Sequence, residues 1–269
     1  MKKDNLNINI NELKKNNCLI KIDSREIKKG DIFVALKGLK DHGYNYIEHA
    51  IKQKAKYVIS EKYNPKYKNK IFRVSNCIET IKKIANYKRK IYSGRVIGIT
   101  GSAGKTSTKE QLSFFLNHEI QTYFSIKSYN NLLGVLLSLS NLDLKSKVAI
   151  FEIGTNQFGE IKSLTSIVKP HIAIITNIGP SHLKFFKNIK NVEKEKSEIL
   201  SGKDNPNINS IIIPDNNFLY KKAEYNKNCQ VYKFGGKKNS STYIVETKKI
   251  DNFIYKVSAK IINKDIIYY

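Results

Sequence analysis

The stretch that most constrains this chain is RVIGITGSAGKTST, Arg95 to Thr108. A short apolar run (Val96, Ile97, Ile99) reads as a buried strand. It breaks into a turn of small residues, Gly101-Ser102-Ala103-Gly104, and Lys105-Thr106 then open a segment, TSTKEQLSFFLN, with the pattern of an amphipathic helix. Strand, glycine turn and helix start together make a cradle for a phosphate chain. Glycines let backbone N–H groups turn inward, the helix dipole favours an anion, and a lysine placed here reaches the β- and γ-phosphates. Thr106 supplies a hydroxyl suited to Mg²⁺. The common pattern places a glycine five residues before the one that precedes the lysine. Here that position is Ile99, and the glycine stands at 101 instead.

The rest of the chain gives this cradle a setting. Two further apolar runs, Val148 to Phe151 and Ile172 to Ile175, read as strands with helical segments between them, which implies a mostly parallel sheet. Glu152 falls at the end of the first run, and Asn177 and Ser181-His182 just past the second. In an open parallel sheet, ligands bind beyond the carboxyl ends of the strands, so Glu152 and His182 are candidate metal ligands on the same rim as Lys105. Asn130-Asn131, before an apolar helical run, read first as helix caps. NVEKEKSEIL (191–200) reads as a charged helix with one apolar edge, its lysines solvated. From SIIIPDNN (210–217) the chain continues to period-2 patches up to Tyr269 that suggest antiparallel strands.

Residues 1–92 read as a separate, smaller α/β domain. LIKID, Ile32 to Leu36 and Tyr57–Ile59 give two or three short strands, with helices around Ile47–Ile51 and after Asn76. Ser24-Arg25 at a strand end suit either a phosphate or an ordinary turn serine and surface arginine, and Gly43 suits a close backbone approach.

The formal charge of +25 invites a nucleic-acid reading, yet only four of the 48 basic residues are arginine (Arg25, Arg73, Arg89, Arg95). Dispersed lysine without the bidentate reader residue argues against a specific nucleic-acid partner. Cys18, Cys77 and Cys229 have no CxxC pairing, which argues against zinc and a disulfide framework. No apolar run is long enough for a membrane span, and the expected location is cytoplasmic.

Taken together, DSR, GDIFVALKG and DHGYNYIEHA, then GITGSAGKTSTKE, SYNNLLGV, EIGTNQFGEI, KPHIAIITNIGPSHL and EKSEIL, resemble the Mur ligases of peptidoglycan synthesis in order and spacing. The displaced glycine is shared with their folylpolyglutamate synthetase relatives, which lack the N-terminal arrangement. The resemblance implies a UDP-binding domain over 1–92 and a central ATP-binding domain from 93 to 269, incomplete at its C-terminus and lacking the family's third domain. It thus implies an isolated chain that binds substrates weakly without turnover. NNxxGV and ExGxNxxGEI favour the member that joins D-alanyl-D-alanine to UDP-N-acetylmuramoyl-tripeptide. The member that adds the third residue and a non-catalytic nucleotide-binding remnant are the alternatives.

By that resemblance Gly101 to Ser107 and Asn177 bind ATP, with Lys105 on its phosphates. Thr106 and Glu152 hold Mg²⁺, and His182 serves a second ion. Lys196 matches a lysine that becomes a carbamate and then a metal ligand, so Lys105, His182 and Lys196 form the expected catalytic set. Ser24, Arg25, Gly43, Asn130 and Asn131 contact the UDP substrate. A monomer without membrane insertion is expected. Leu136 and Pro214 depart from the family pattern.

Overall fold

The computed structural model describes residues 18–38, 41–125, 128–203, 205–236, 240–251, 254–262 and 264–268. They form two compact units, one built from residues up to Tyr92 together with Leu136–Leu144, the other from Ser93–Val135 and Lys145 onward.

The first unit carries a four-stranded parallel sheet in the order β1 (Ile20–Lys21), β2 (Ile32–Ala35), β3 (Tyr57–Ser60), β4 (Ile71–Arg73). All four residues of β2 are buried, which is why it reads as an unbroken apolar run rather than an alternating one. Phe33 and Ala35 pack with Val58 of β3 and with Ile47 and Ala50 of α1 (Ile47–Lys52). Helix α2 (Cys77–Ile91) starts at Asn76, whose side chain accepts from the Glu79 N–H. β4 lies beyond the two or three strands expected, because two apolar residues among lysines leave no period to read. Leu136–Leu144 belong to this unit for a specific reason. The Asn141 amide takes both free backbone groups of Ile20, accepting at 2.6 Å and donating at 2.9 Å, and so closes the edge of β1 as a neighbouring strand would.

The second unit holds a nine-stranded sheet. Its strands are β5 (Arg95–Thr100), β6 (Thr122–Phe124), β7 (Val148–Glu152), β8 (Ile172–Ile175), β9 (Ser210–Pro214), β10 (Gln230–Gly235), β11 (Thr242–Lys249), β12 (Tyr255–Ile261) and β13 (Lys264–Tyr268). Their order is β13-β12-β11-β10-β9-β8-β5-β7-β6. Pairing is parallel from β6 through β11 and antiparallel across β11, β12 and β13. The mostly parallel α/β sheet and its antiparallel extension match the sequence expectation. β6 and β10 are additional to the strands read there, as is a helix over Asn217–Glu224.

β5 is central. The chain runs from it to β6 and β7 on one side and then to β8 on the other, so the direction of strand addition reverses at β5. Such a reversal opens a crevice at the carboxyl ends of the strands, where the glycine turn leaves β5. The core beneath it is Ile97, Ile99, Val148, Ile150 and Ile174. Helices α3 (Lys105–Glu119), α4 (Leu132–Ser140), α5 (Glu160–Val168), α6 (Leu183–Phe186) and α7 (Ile189–Lys196) follow in chain order.

Candidate functional site

The turn after β5 is shaped by contacts with the segment that follows β8. A Cβ at Gly101 would collide with the Thr176 hydroxyl, so only glycine fits there. The Thr176 hydroxyl donates to the Ala103 carbonyl at 2.5 Å. Asn177 accepts from the Ser102 N–H through its carbonyl (3.1 Å) and from the Ala103 N–H through its side chain (2.8 Å). Ser102 and Gly179 exchange two hydrogen bonds, 2.8 and 3.0 Å. Asn177 therefore braces the turn from behind. Gly104 then caps α3 at φ +78° with no side chain closing the helix end. The first N–H groups of α3 are left without intrahelical acceptors, the arrangement that attracts an anion.

Lys105 is the first residue of α3, and its ammonium donates to the Gly101 carbonyl at 2.7 Å, bridging the turn. Burial lowers its pKa, partly opposed by the Glu152 charge. Thr106 donates its hydroxyl to Glu152 Oε2 at 3.1 Å and lies 3.3 Å from the Ser128 hydroxyl. Glu152, the last residue of β7, is wholly buried. Its Oε1 lies 3.2 Å from the ammonium of Lys109 yet takes no aligned hydrogen bond. A hydroxyl and a carboxylate side by side are the donor types a hard divalent cation takes. Thr106 and Glu152 fit such an ion. Among the described residues no group of three or more His, Cys, Asp or Glu that could hold a metal ion exists.

Lys105, Asn130, Asn131, His182 and Lys196 line one cavity of about 180 Å³, with the Gly154–Asn156 loop. The Asn131 side chain accepts from the Gly134 N–H at 2.9 Å, which makes it a cap of α4 as well as a lining residue. His182 is exposed and sits at φ +50°. Ser107 is exposed on the first turn of α3.

Lys196 corrects the reading of its helix as a solvated face. It is 2% exposed, at the end of α7, and the neighbouring Glu195 is equally buried. Val192, Glu195, Lys196 and Ile199 follow helical spacing on one inward face, so the apolar edge already contained the two charges. Burial first, and then the Lys105 charge, push the Lys196 amine down to about 8, against the pull of Glu195.

An unfolded chain keeps an ordinary lysine protonated to about 10.5. Between pH 8 and 10.5 the unfolded state therefore binds more protons, and stability rises with pH through that window. The midpoint of thermal unfolding is expected to climb, relative to Lys196→Met, as the pH is raised from about 7.5 to about 9.5. Parallel curves for the two proteins would contradict this assignment.

The first unit brings Ser24, Arg25 and Gly43 together along one open pocket of about 700 Å³, with Asp41, Tyr46 and His49. Ser24 is buried, and its hydroxyl pairs with His49 Nδ1 at 2.9 Å. Arg25 is exposed and held by Asp23, with hydrogen bonds of 2.9 Å from Nε and 2.7 Å from the terminal nitrogen. Asp41 accepts from the Tyr46 phenol, which lowers its pKa. A Cβ at Gly43 would meet the β2 backbone at 2.7–2.8 Å, so this loop can lie against the sheet only as glycine. His49, Asp41, Tyr46, Lys109, Ser128, Thr176 and Glu195 were not picked out by sequence. Lys109 had a readable signal, standing one turn from Lys105 and Thr106 on the same helical face.

Residues 99–267 match the Mur ligase middle domain, and residues 19–89 match the Mur ligase family catalytic domain. The chain belongs to the Mur ligase family. Among curated relatives of this Mur ligase chain is the UDP-N-acetylmuramoyl-tripeptide–D-alanyl-D-alanine ligase of Rickettsia prowazekii. It is 38% identical over 240 residues, 88% of this chain and 53% of that protein. The ligase of the same name from Buchnera aphidicola of Acyrthosiphon pisum is 34% identical over 231 residues, covering 85% and 50%. The chain spans about half the length of the curated relatives it matches.

MurF of Acinetobacter baumannii superposes with a TM-score of 0.76 at 28% identity, over 92% of this chain and 54% of that one. MurF of Thermotoga maritima in complex with ADP gives 0.78 at 25%, over 93% and 57%. A folylpolyglutamate synthetase bound to AMPPCP and folate shares only the fold, with a TM-score of 0.52 at 13% identity, over 70% of this chain and 55% of that one.

Proposed function

We propose that this chain carries the UDP-substrate and ATP sites of a ligase that joins D-alanyl-D-alanine to UDP-N-acetylmuramoyl-tripeptide, acting as a cytoplasmic monomer. One observation carries the reading. Lys105, His182 and the buried Lys196 line a single cavity at the carboxyl ends of the sheet, next to the Thr106–Glu152 pair. The similarity to tripeptide–D-alanyl-D-alanine ligases and to a MurF that binds ADP supports assigning those substrates to that cavity. No described helix is long and apolar enough to cross a membrane.

On this reading residues 1–92 hold the UDP end of the substrate through Ser24, Arg25 and Gly43. The Gly101–Ser107 cradle and Lys105 hold the phosphates of ATP. The tripeptide's terminal carboxylate is phosphorylated at the γ-phosphate, giving an acyl phosphate and ADP. The amine of D-alanyl-D-alanine then attacks the acyl carbon, and the tetrahedral intermediate expels phosphate to leave the amide. Mg²⁺ held by Thr106 and Glu152 would neutralise phosphate charge, and a second ion would fall to His182 and a carbamate of Lys196. An amine pushed down to about 8 is partly neutral at cellular pH, which suits it to combine with CO₂. The protein's own residues position and screen charge; none forms a covalent bond to substrate.

Calorimetric titration tests the reading. UDP-muramoyl-tripeptide is expected to bind at least tenfold more tightly than the dipeptide form, and ATP to bind with Mg²⁺. Preference for the dipeptide would assign the chain to the ligase that adds the third residue. Nucleotide binding with no affinity for either UDP compound would leave only a nucleotide-binding remnant.

A further inference from the structure

Lys109 has no part in the reading above, yet with Glu152 it forms a buried ion pair at the floor of the cradle. Lys109 is 1% exposed and Glu152 wholly buried. The ammonium lies 3.2 Å from Glu152 Oε1 and donates to the Ser125 carbonyl at 2.8 Å. The two oxygens of Glu152 are thereby divided, Oε1 toward Lys109 and Oε2 toward the Thr106 hydroxyl. Lys109 and Thr106 stand one turn apart on α3, so a single helix addresses both oxygens.

We propose that Lys109 is a positioning residue that holds Glu152 aimed, with Oε2 beside the Thr106 hydroxyl, for a metal–nucleotide complex. A buried carboxylate without an orienting contact has no fixed direction, and a cation packed against one oxygen fixes where the other points. Lys109 supplies that contact at Oε1. Because its ion pair is with Glu152, its removal weakens the metal-dependent part of nucleotide binding. The part owed to Lys105 and the helix N–H groups stays intact. The inference rests on the nucleotide reading of the cradle.

The test measures ADP binding by calorimetry in EDTA and in saturating Mn²⁺, with Mn²⁺ EPR reporting the bound ion. For the wild-type chain, Mn²⁺ is expected to tighten ADP binding. In Lys109→Met that enhancement should fall about tenfold, the size of one misplaced charged contact, while affinity in EDTA stays as in the wild type. The Glu152→Gln/Lys109→Met double variant should show the same metal dependence as Glu152→Gln alone. An unchanged enhancement in Lys109→Met overturns the proposal, as does a parallel loss with and without Mn²⁺, which would mark Lys109 as merely structural. Should Lys109→Met fail to fold, the double variant with its neutral pair decides. Equality with Glu152→Gln supports the proposal, and a further tenfold loss overturns it. A wild-type chain that binds ADP in neither condition overturns the nucleotide reading itself.

Discussion

Replacing Lys105 with Ala is expected to weaken ATP binding by roughly 10- to 100-fold, the contribution of one charge-assisted hydrogen bond in a partly desolvated site. The ammonium lies back across its own turn on the Gly101 carbonyl, 2.7 Å away. That bond is local and exchangeable, so a phosphate can displace it without disturbing the fold. Unfolding midpoints of wild type and variant should therefore nearly coincide while nucleotide affinity separates them. The variant has a second signature. The Lys105 charge is one of the causes that lower the Lys196 amine to about 8. Removing it should move the Lys196 titration upward, measurable by NMR of isotope-labelled lysine. Loss of affinity with an unmoved Lys196 would show that the two ammonium groups do not share a field, and would separate Lys196 from the phosphate site.

The parts of this site that were legible in the sequence are those where the backbone does the work. A β-branched run followed by small residues and Lys-Thr admits few structures, and β5, the turn and α3 follow it closely. Glu152 and Asn177 were legible because apolar runs end where they stand. The buried charges were not. Lysine and glutamate in NVEKEKSEIL look solvated one residue at a time, and only the spacing of Val192 and Ile199 places Glu195 and Lys196 on the inward face. The helical face of Lys109 was readable, one turn from Lys105 and Thr106, but its burial was not, since its partner lies 43 positions away in the chain. Asn141 shows the complementary limit. Nothing local marks an asparagine as the substitute for a missing edge strand, since its partner Ile20 lies 121 residues earlier. Period-2 patterning did foretell the antiparallel β11–β13.

Glu195→Ala is expected to destabilise the second unit by about 3–5 kcal/mol, lowering its thermal midpoint by roughly 10 °C. The Glu195 carboxylate is 2% exposed and receives three hydrogen bonds from one short segment. The Gly159 N–H donates to Oε2 at 2.8 Å, the Ile161 N–H to Oε1 at 2.9 Å, and the Thr155 hydroxyl to Oε1 at 3.3 Å. Gly159 is the cap of α5 and has no side chain to close the helix, so Glu195 of α7 supplies the missing cap from a different element. Its charge also opposes the positive end of the α5 dipole. Truncation to alanine leaves the part-buried Gly159 N–H and the buried Ile161 N–H without this acceptor and removes a negative charge beside Lys196. Glu195→Gln keeps the shape and one acceptor oxygen, but turns an amide N–H₂ toward a donor, so about half of the loss should remain. The consequence extends to the cavity, because Thr155 and Asn156 line it together with Lys196. Chemical denaturation of the three proteins, paired with Lys196 titration, separates the effects. Alanine should lower both stability and the Lys196 pKa, the latter through loss of the Glu195 charge that raises it. A variant as stable as wild type would mean that α5 holds its own N-terminus, and that the buried carboxylate serves Lys196 alone.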